Sequence, residues 1–350
     1  MIRRFTSTVA GPAARGEEFG AHHATEVAST VDAYRRVLAP AGPIDALGSA
    51  ALDRIEEFAP DLAEEVRGIA GGAGVPATHL AAVNARTEIL AIAARALDTA
   101  PPSECSAVVC LGDDEDEPVA VQTWDWYPEL ADNWLEWTIP YPDGRRVVTV
   151  TEHGIVGKIG VNGYGVGLLL NILHHRGDGA TVGVPVHVVA RHILDTAQTV
   201  HSGLSTAASA WVSASSTVTL VGSRRAGKTA ISTELWPDGP GHALPTPDGL
   251  LVHTNHFLSD PARLGDLKPV LAPDTLVRYE VLRRRLHRYA GRASAEQVLA
   301  AMADHTGGVC CHPDPLATAG PTYATLATIR LDLAAGAVVT HAGGPCSLRS

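Results

Sequence analysis

The sequence predicts an α+β fold with helices first and strands, helices and strands after them. Three observations lead there. Apolar residues repeat at helical spacing through the first hundred positions, strand-like runs take over after Pro101-Pro102, and no regular βαβ alternation appears. With 350 residues, 45% of them hydrophobic, the chain buries a sizeable core.

Over 17–97 the pattern is helical. Ile55, Phe58, Leu62, Val66 and Ile69 form one stripe and Leu80, Val83, Leu90 and Ile92 a second. The Gly-rich break at 71–76 separates them, and Thr78 is the expected N-cap of the later helix. Four β-rich runs follow at 119–126, 146–151, 155–161 and 166–172, divided by Gly, Asn and Asp. A helix is expected over 185–197 and a Ser/Thr-rich hairpin over 212–235. Two more helices are expected near 274–289 and 294–304, and a closing strand pair at 323–333 and 337–341. The loop 127–137 carries Trp134 and Trp137, which fit either a core edge or an apolar pocket.

Composition excludes several functions. A net charge of −11 lacks the basic surface that a general nucleic-acid binder needs. The five arginines of 278–288 alternate with Leu276, Tyr279, Leu282, Leu286 and Tyr289 at helical spacing, which reads as a solvated helix face. Five cysteines without a repeating framework point to a reducing compartment. No apolar leader follows the first residues and no window is long enough to span a membrane, so a soluble, cytoplasmic protein without a membrane partner is expected.

Cys105 carries the chemistry. It stands at the seam between the helical block and a strand-like run, where a buried structural cysteine would sit mid-run. A cut before it would place an amine and a thiol, base and nucleophile, in one residue. The acidic run 113–117 reads as a hairpin tip. If the hairpin is symmetric about Glu115, Asp125 lies opposite Cys105. Asp125 then orients the thiol or amine; a strand-end hydrogen-bonding residue is the other reading. Asn255, in Val-His-Thr-Asn-His, is able to donate an amide N–H to an oxyanion or to serve as a turn residue. His174-His175, His253, His256 and Cys311-His312 lack metal-site spacing, so no metal and no cofactor are expected. Gly222 to Thr229 matches the phosphate-loop formula, but a strand-like segment meeting Pro237 follows instead of a helix, so a hairpin turn is the better reading.

Taken together, these motifs resemble the isopenicillin-N acyltransferase family of autoproteolytic N-terminal-nucleophile (Ntn) enzymes, peptidase family C45. The resemblance rests on Glu65-Val-Arg-Gly-Ile-Ala, Asn84-Ala-Arg-Thr-Glu88, Cys105 and Trp124-Asp125-Trp126. It extends through Thr151-Glu-His-Gly-Ile-Val-Gly-Lys-Ile-Gly-Val-Asn162, Asn171-Ile-Leu-His174, Gly183-Val-Pro-Val-His187 and Val252-His-Thr-Asn-His256. It implies one domain over 1–350, a four-layer αββα sandwich, and self-cleavage into an α chain 1–104 and a β chain 105–350 that stay together. It further implies an acyl-Cys105 intermediate on a small amide or thioester substrate, with acyl-CoA among the donors. Asn255 would stabilise the oxyanion and Asp125 orient the amine or substrate, with Arg86, Trp124, Asn162, Asn171 and His253 as substrate or supporting residues.

Two positions depart from the family pattern. Glu104 stands where the residue before the nucleophile is typically Gly, and Thr322 where the fungal pattern has an Arg. Arg86 is the candidate replacement for that charge. The same departures motivate a contrasting reading, a non-catalytic relative that binds a metabolite or partner.

Overall fold

The computed structural model describes residues 2–97, 99, 104–313 and 323–348, with Glu104 by its backbone alone. Among these, the strands form two sheets. The eight-stranded sheet runs β1 (Arg3–Thr6), β4 (Trp134–Pro140), β5 (Arg146–Glu152), β6 (Ile159–Asn162), β7 (Val166–Ile172), β8 (Ser216–Gly222), β9 (Ala230–Leu235) and β10 (Gly241–Ala243). The five-stranded sheet runs β11 (Leu250–His253), β2 (Glu104–Cys110), β3 (Val119–Trp126), β12 (Ala324–Asp332) and β13 (Ala337–Ala342). Neighbours are antiparallel except β1, which joins β4 in parallel.

Helices cover both outer faces. α7 (Val186–Thr196) and α8 (Val200–Ser209) lie on the large sheet, and α11 (Asp274–His287) and α12 (Ala295–Met302) on the small one. The expected α+β class and four-layer αββα order are therefore borne out. The remaining helices are α1 (Pro12–His22), α2 (Ala24–Leu38), α3 (Ile44–Phe58), α4 (Pro60–Ala73), α5 (Ala77–Asn84) and α6 (Arg86–Leu97), with short α9 (Asp260–Arg263) and α10 (Lys268–Leu271). None of the described helices is long and apolar enough to cross a membrane.

Alternation along β2 explains how one strand serves two cores. Cys105, Ala107 and Val109 face the main core between the sheets. Val108 and Cys110 face α11 and α12, against Leu282, Leu286, Val298 and Met302. The helical block closes on itself through glycines. Gly16 and Gly20 of α1 meet the backbone of α4, and Gly68 and Gly72 of α4 meet that of α1, where any Cβ would lie within 2.3 Å of a carbonyl oxygen. Helix axes approach closely only where side chains are this small.

A buried ion cluster ties that block to α7. The Glu65 carboxylate accepts from Arg191 Nη1 at 2.7 Å and from Arg15 Nε at 2.8 Å, all three side chains being buried. Glu65→Ala is expected to lower stability by about 3–5 kcal/mol in urea unfolding, because the buried Arg15 and Arg191 lose their shared carboxylate and only Arg191 keeps another, Asp195 at 2.8 Å.

The structure corrects three local expectations. The third β-rich run begins only at Ile159, since β5 runs to Glu152 and 153–158 are turn and irregular backbone, where Thr151 Oγ1 donates to the Ile155 carbonyl at 2.9 Å. α5 starts at Ala77 after Pro76, so Thr78 lies inside the helix and its hydroxyl donates to Asp45 at 3.3 Å instead of capping. The segment 127–137 is not one loop: β4 starts at Trp134, and both tryptophans are buried core residues. β1 carries no clear signal of its own and is a strand because β4 offers it an edge. The phosphate-loop match is a hairpin turn between β8 and β9, holding only a short helical turn at Arg224–Ala226.

Candidate active site

The site begins with the register of the β2–β3 hairpin. Asp116 N–H donates to the Asp113 carbonyl at 2.9 Å, closing a four-residue turn centred between Asp114 and Glu115. That centre lies half a residue from the expected one at Glu115. Cys105 therefore pairs with Trp124, and Asp125 with Glu104. A one-residue slip moves a side chain to the other face of the sheet. The expectation of Asp125 directly opposite Cys105 is thus corrected. Trp124 shares the inter-sheet core with Cys105, while Asp125 is in the alternate set with Val121.

The backbone of Cys105 is clamped from three elements. Its N–H donates to Asn255 Oδ1 at 2.9 Å, and its carbonyl accepts from Arg278 Nη1 at 2.9 Å and Asn171 Nδ2 at 3.1 Å. Asn255 follows β11, the other neighbour of β2, in line with the pairing of His253 with Ala107. Arg278 Nη2 also donates to Asn255 Oδ1 at 2.9 Å, and Asn255 Nδ2 donates to the Ile172 carbonyl at 2.8 Å. Two donors on one atom and a carbonyl at the other fix which way this amide points.

Arg278 is the exception to the reading of its helix as a solvated arginine face, which holds for Arg283, Arg284 and Arg288. The inward stripe of α11 is Thr275, Arg278, Leu282 and Leu286, whereas Leu276 is exposed. The helical spacing is real, but its phase is rotated, because Arg278 satisfies buried acceptors at the strand ends beneath it. Its Nη1 also reaches Ser106 Oγ at 3.2 Å, and its Nε reaches Asp274 Oδ2 at 3.0 Å. Arg278→Met is expected to cost about 1–3 kcal/mol in urea unfolding, since it leaves buried acceptors without donors.

The thiol faces a small cavity of about 10 Å³, room for one water, lined by Arg86, Trp124, Asp125, Trp126, Lys158, Leu170 and Ile172. A ligand pocket is usually roughly 300–1,000 Å³, so this cavity must open to admit a substrate. At its wall the Glu152 carboxylate accepts from Arg86 at 2.8 Å, Lys158 at 3.3 Å and the Tyr34 hydroxyl. Lys158 Nζ stands 3.4 Å from the centre of the Trp124 ring, and the Arg86 guanidinium 4.1 Å from that of Trp126.

These contacts set the titration of the group. Burial pushes the Cys105 thiol up to about 11, with the Asp125 charge adding to it against the pull of Lys158. Burial would also raise Glu152, yet Arg86 and Lys158 bring it down to about 2. Burial lowers Lys158 to about 7, although Glu152 holds part of its charge. One carboxylate facing two buried cations leaves an excess positive charge, and the lysine is the one able to lose its proton.

Other expected residues fall into place or out of it. Trp124, Arg86 and Asn171 belong to the site, and Arg86 supplies a cation at the cavity wall. Asn162 does not: its Oδ1 accepts from Tyr164 and Val166 N–H, both at 3.0 Å, and its Nδ2 donates to the Leu194 and Ala197 carbonyls. It holds the β6–β7 turn. His253 is buried against Glu234 at 2.8 Å and reaches the site only through its carbonyl, which accepts from Asn171 at 3.4 Å. Thr322 and the side chain of Glu104 lie outside the described residues. Sequence reasoning missed Arg278, Lys158 and Glu152. The available signal for Lys158 was a lone cation inside the apolar stretch 155–161.

Sequence comparison relates the chain to a known family. Residues 110–345 match the family model described as acyl-coenzyme A:6-aminopenicillanic acid acyl-transferase. The match takes in Asp125, Lys158, Asn255 and Arg278 and starts just after Cys105. The 40 kDa form of the acyl-coenzyme A:6-aminopenicillanic-acid-acyltransferase from Emericella nidulans is 28% identical over 233 residues, covering 66% of this chain and 61% of that protein. A Caenorhabditis elegans ortholog of N-acylethanolamine-hydrolyzing acid amidase aligns at 12% identity and a TM-score of 0.47, over 66% of this chain and 96% of that one. Penicillin V acylase from Agrobacterium tumefaciens aligns at 12% identity and a TM-score of 0.40, over 68% and 83%. With two thirds of its length under that family model, the chain belongs to the acyl-coenzyme A:6-aminopenicillanic acid acyl-transferase family.

Proposed function

We propose that this chain is a self-activating cysteine Ntn enzyme that hydrolyses or transfers the acyl group of a small amide or thioester. The observation that carries this reading is the packing of Cys105. Its backbone nitrogen is fixed by Asn255 and its thiol faces a buried cavity, so cleavage before it would free an amine beside its own thiol.

Before cleavage no α-amine exists to act as base. Lys158, lowered to about 7, fills that role. It takes the thiol proton, and the thiolate attacks the Glu104 carbonyl carbon. The C–N bond breaks, the nitrogen takes a proton to become the Cys105 amine, and a thioester joins Glu104 to Sγ. Water then hydrolyses the thioester and leaves a Glu104 carboxylate. Moving a proton from Cys105 to neutral Lys158 creates a thiolate–ammonium pair without changing the net charge of the buried group, which limits its desolvation cost.

In the mature enzyme the α-amine, with an ordinary pKa of about 7.7–8.0, takes over as base. The thiolate attacks the substrate carbonyl and forms acyl-Cys105, and water or an amine accepts the acyl group. Asn255 Nδ2 serves the oxyanion through the hydrogen not given to Ile172, with a backbone N–H beside it. Asp125 acts at the hairpin end on the freed amine or the substrate. An acyl-coenzyme A donor of the kind in the Emericella protein's name falls within this class.

The two pieces would remain one domain. β1 is hydrogen-bonded to β4, Glu65 to Arg191, and Arg86 to Glu152, each across the proposed cut. Intact-mass measurement with N-terminal sequencing tests the reading. Two fragments are expected, the larger starting Cys105-Ser-Ala, together with an acyl adduct on it after exposure to a test amide. A chain that stays whole under all conditions would remove self-activation.

A further inference from the structure

The loop after α12 and the turn after β13 bring together four side chains that the acyl chemistry does not use. They are His305, Cys310, His312 and Cys346, whose ligand-type atoms all lie within 4.8 Å of one another. His312 Nε2 is 3.2 Å from His305 Nε2, 3.5 Å from Cys310 Sγ and 3.4 Å from Cys346 Sγ. A ring nitrogen carries one hydrogen or one lone pair, so it cannot satisfy three such neighbours by hydrogen bonding. A shared ion at their centre satisfies all of them.

From these distances and this donor set we infer that the four residues form a Cys₂His₂ site for a structural Zn²⁺. Zinc–sulfur bonds of about 2.3 Å and zinc–nitrogen bonds of about 2.0–2.1 Å place tetrahedral neighbours about 3.3 Å apart for N···N and about 3.5 Å for S···N. The observed separations of 3.2, 3.4 and 3.5 Å follow those edges. Two thiolates neutralise the dication, and two sulfur with two nitrogen donors in tetrahedral array select zinc among common divalent metals. Binding releases the two thiol protons, and zinc needs no redox partner.

The surroundings are built for these ligands. A Cβ on Gly344 would lie 2.3 Å from Cys310 Sγ, so that position leaves room only for hydrogen. The Cys310 N–H donates to the Asp304 carbonyl at 2.9 Å, and the Cys311 N–H to Thr325 Oγ1 at 2.9 Å. Cys311 itself points away, its thiol donating to the Tyr323 carbonyl at 3.3 Å. Linear spacing hides the site, because Cys346 comes from far along the chain and the adjacent Cys311-His312 pair contributes one ligand, not two. The ion would fasten the turn after β13 to the segment after α12, where the Cys311 N–H meets Thr325, the β12 partner of Asp125.

The full chain, purified under reducing conditions with zinc supplied and then dialysed, tests this by elemental analysis and cobalt exchange. About one Zn²⁺ per chain is expected. Cobalt should give the intense ligand-field bands of a tetrahedral site and thiolate charge transfer. Cys346→Ser and His312→Gln should each lose at least about 10-fold in zinc affinity, since each removes one ligand while the rest of the chain folds. Metal-free wild type after this treatment would overturn the assignment, as would undiminished zinc in both variants. A Cys310–Cys346 disulfide, seen as a two-proton mass deficit that persists through the reducing purification, would also overturn it. Because the fragment pattern at Cys105 is read separately, failure here leaves the acyl chemistry intact.

Discussion

Cys105→Ala is expected to give one uncut 36.5 kDa chain with no acyl adduct and activity at least about 1,000-fold below wild type. The substitution removes the atom that attacks Glu104 and the atom that would hold the acyl group, while the backbone clamp from Asn255, Asn171 and Arg278 needs no side chain at 105. The variant should therefore fold, and its urea midpoint should stay close to that of wild type. Intact mass reads the first outcome and release of amine or thiol from test substrates the second. Cleavage in the alanine variant would assign the cut to an outside protease. An unreactive thiol in an uncut wild type would favour the binding-module reading.

Lys158→Met should slow self-cleavage by about 10²–10⁴-fold, the usual loss when a positioned base is removed. Methionine keeps a stem of similar length over Trp124 and leaves the Arg86–Glu152 pair in place, so the effect reports proton transfer more than folding. The pH dependence carries the sign. A base lowered to about 7 is protonated and idle below that value, so cleavage of freshly refolded wild type should accelerate as pH rises through about 7. The methionine variant should lose that step. Glu152→Gln tests the same cluster from the other side. It removes the charge that holds Lys158 protonated, so the step should move to lower pH. A pH profile unchanged in both variants would sink the role given to Lys158.

How far the site was legible can be judged residue by residue. Val119–Trp126 and Val166–Ile172 could be placed from sequence because Pro118 and Pro128 flank the first and Asn162, Gly163 and Gly165 precede the second, and those breaks are local. Cys105 stood out because it heads such a run. Asn255 could be named as a candidate, but its contact with the Cys105 N–H depends on β11 lying beside β2, a pairing between segments 150 residues apart. The Asp125 register failed by one residue because turn symmetry is set by the Asp113–Asp116 hydrogen bond, and an acidic run does not show where its centre lies. Arg278 was hidden by company, one buried arginine among exposed ones on a helix whose phase only packing determines.

The sequence by itself determined the class of fold, the family and the nucleophile candidate, since each depends on local periodicity, composition or motif order. Only the tertiary structure decided which charges surround the thiol. The meeting of Lys158, Glu152 and Arg86 beside Cys105, and of Cys346 with His305, Cys310 and His312, joins distant parts of the chain. Such meetings are set by sheet order and helix phase. Those in turn are fixed by the burial of faces against one another, which no short window of sequence contains.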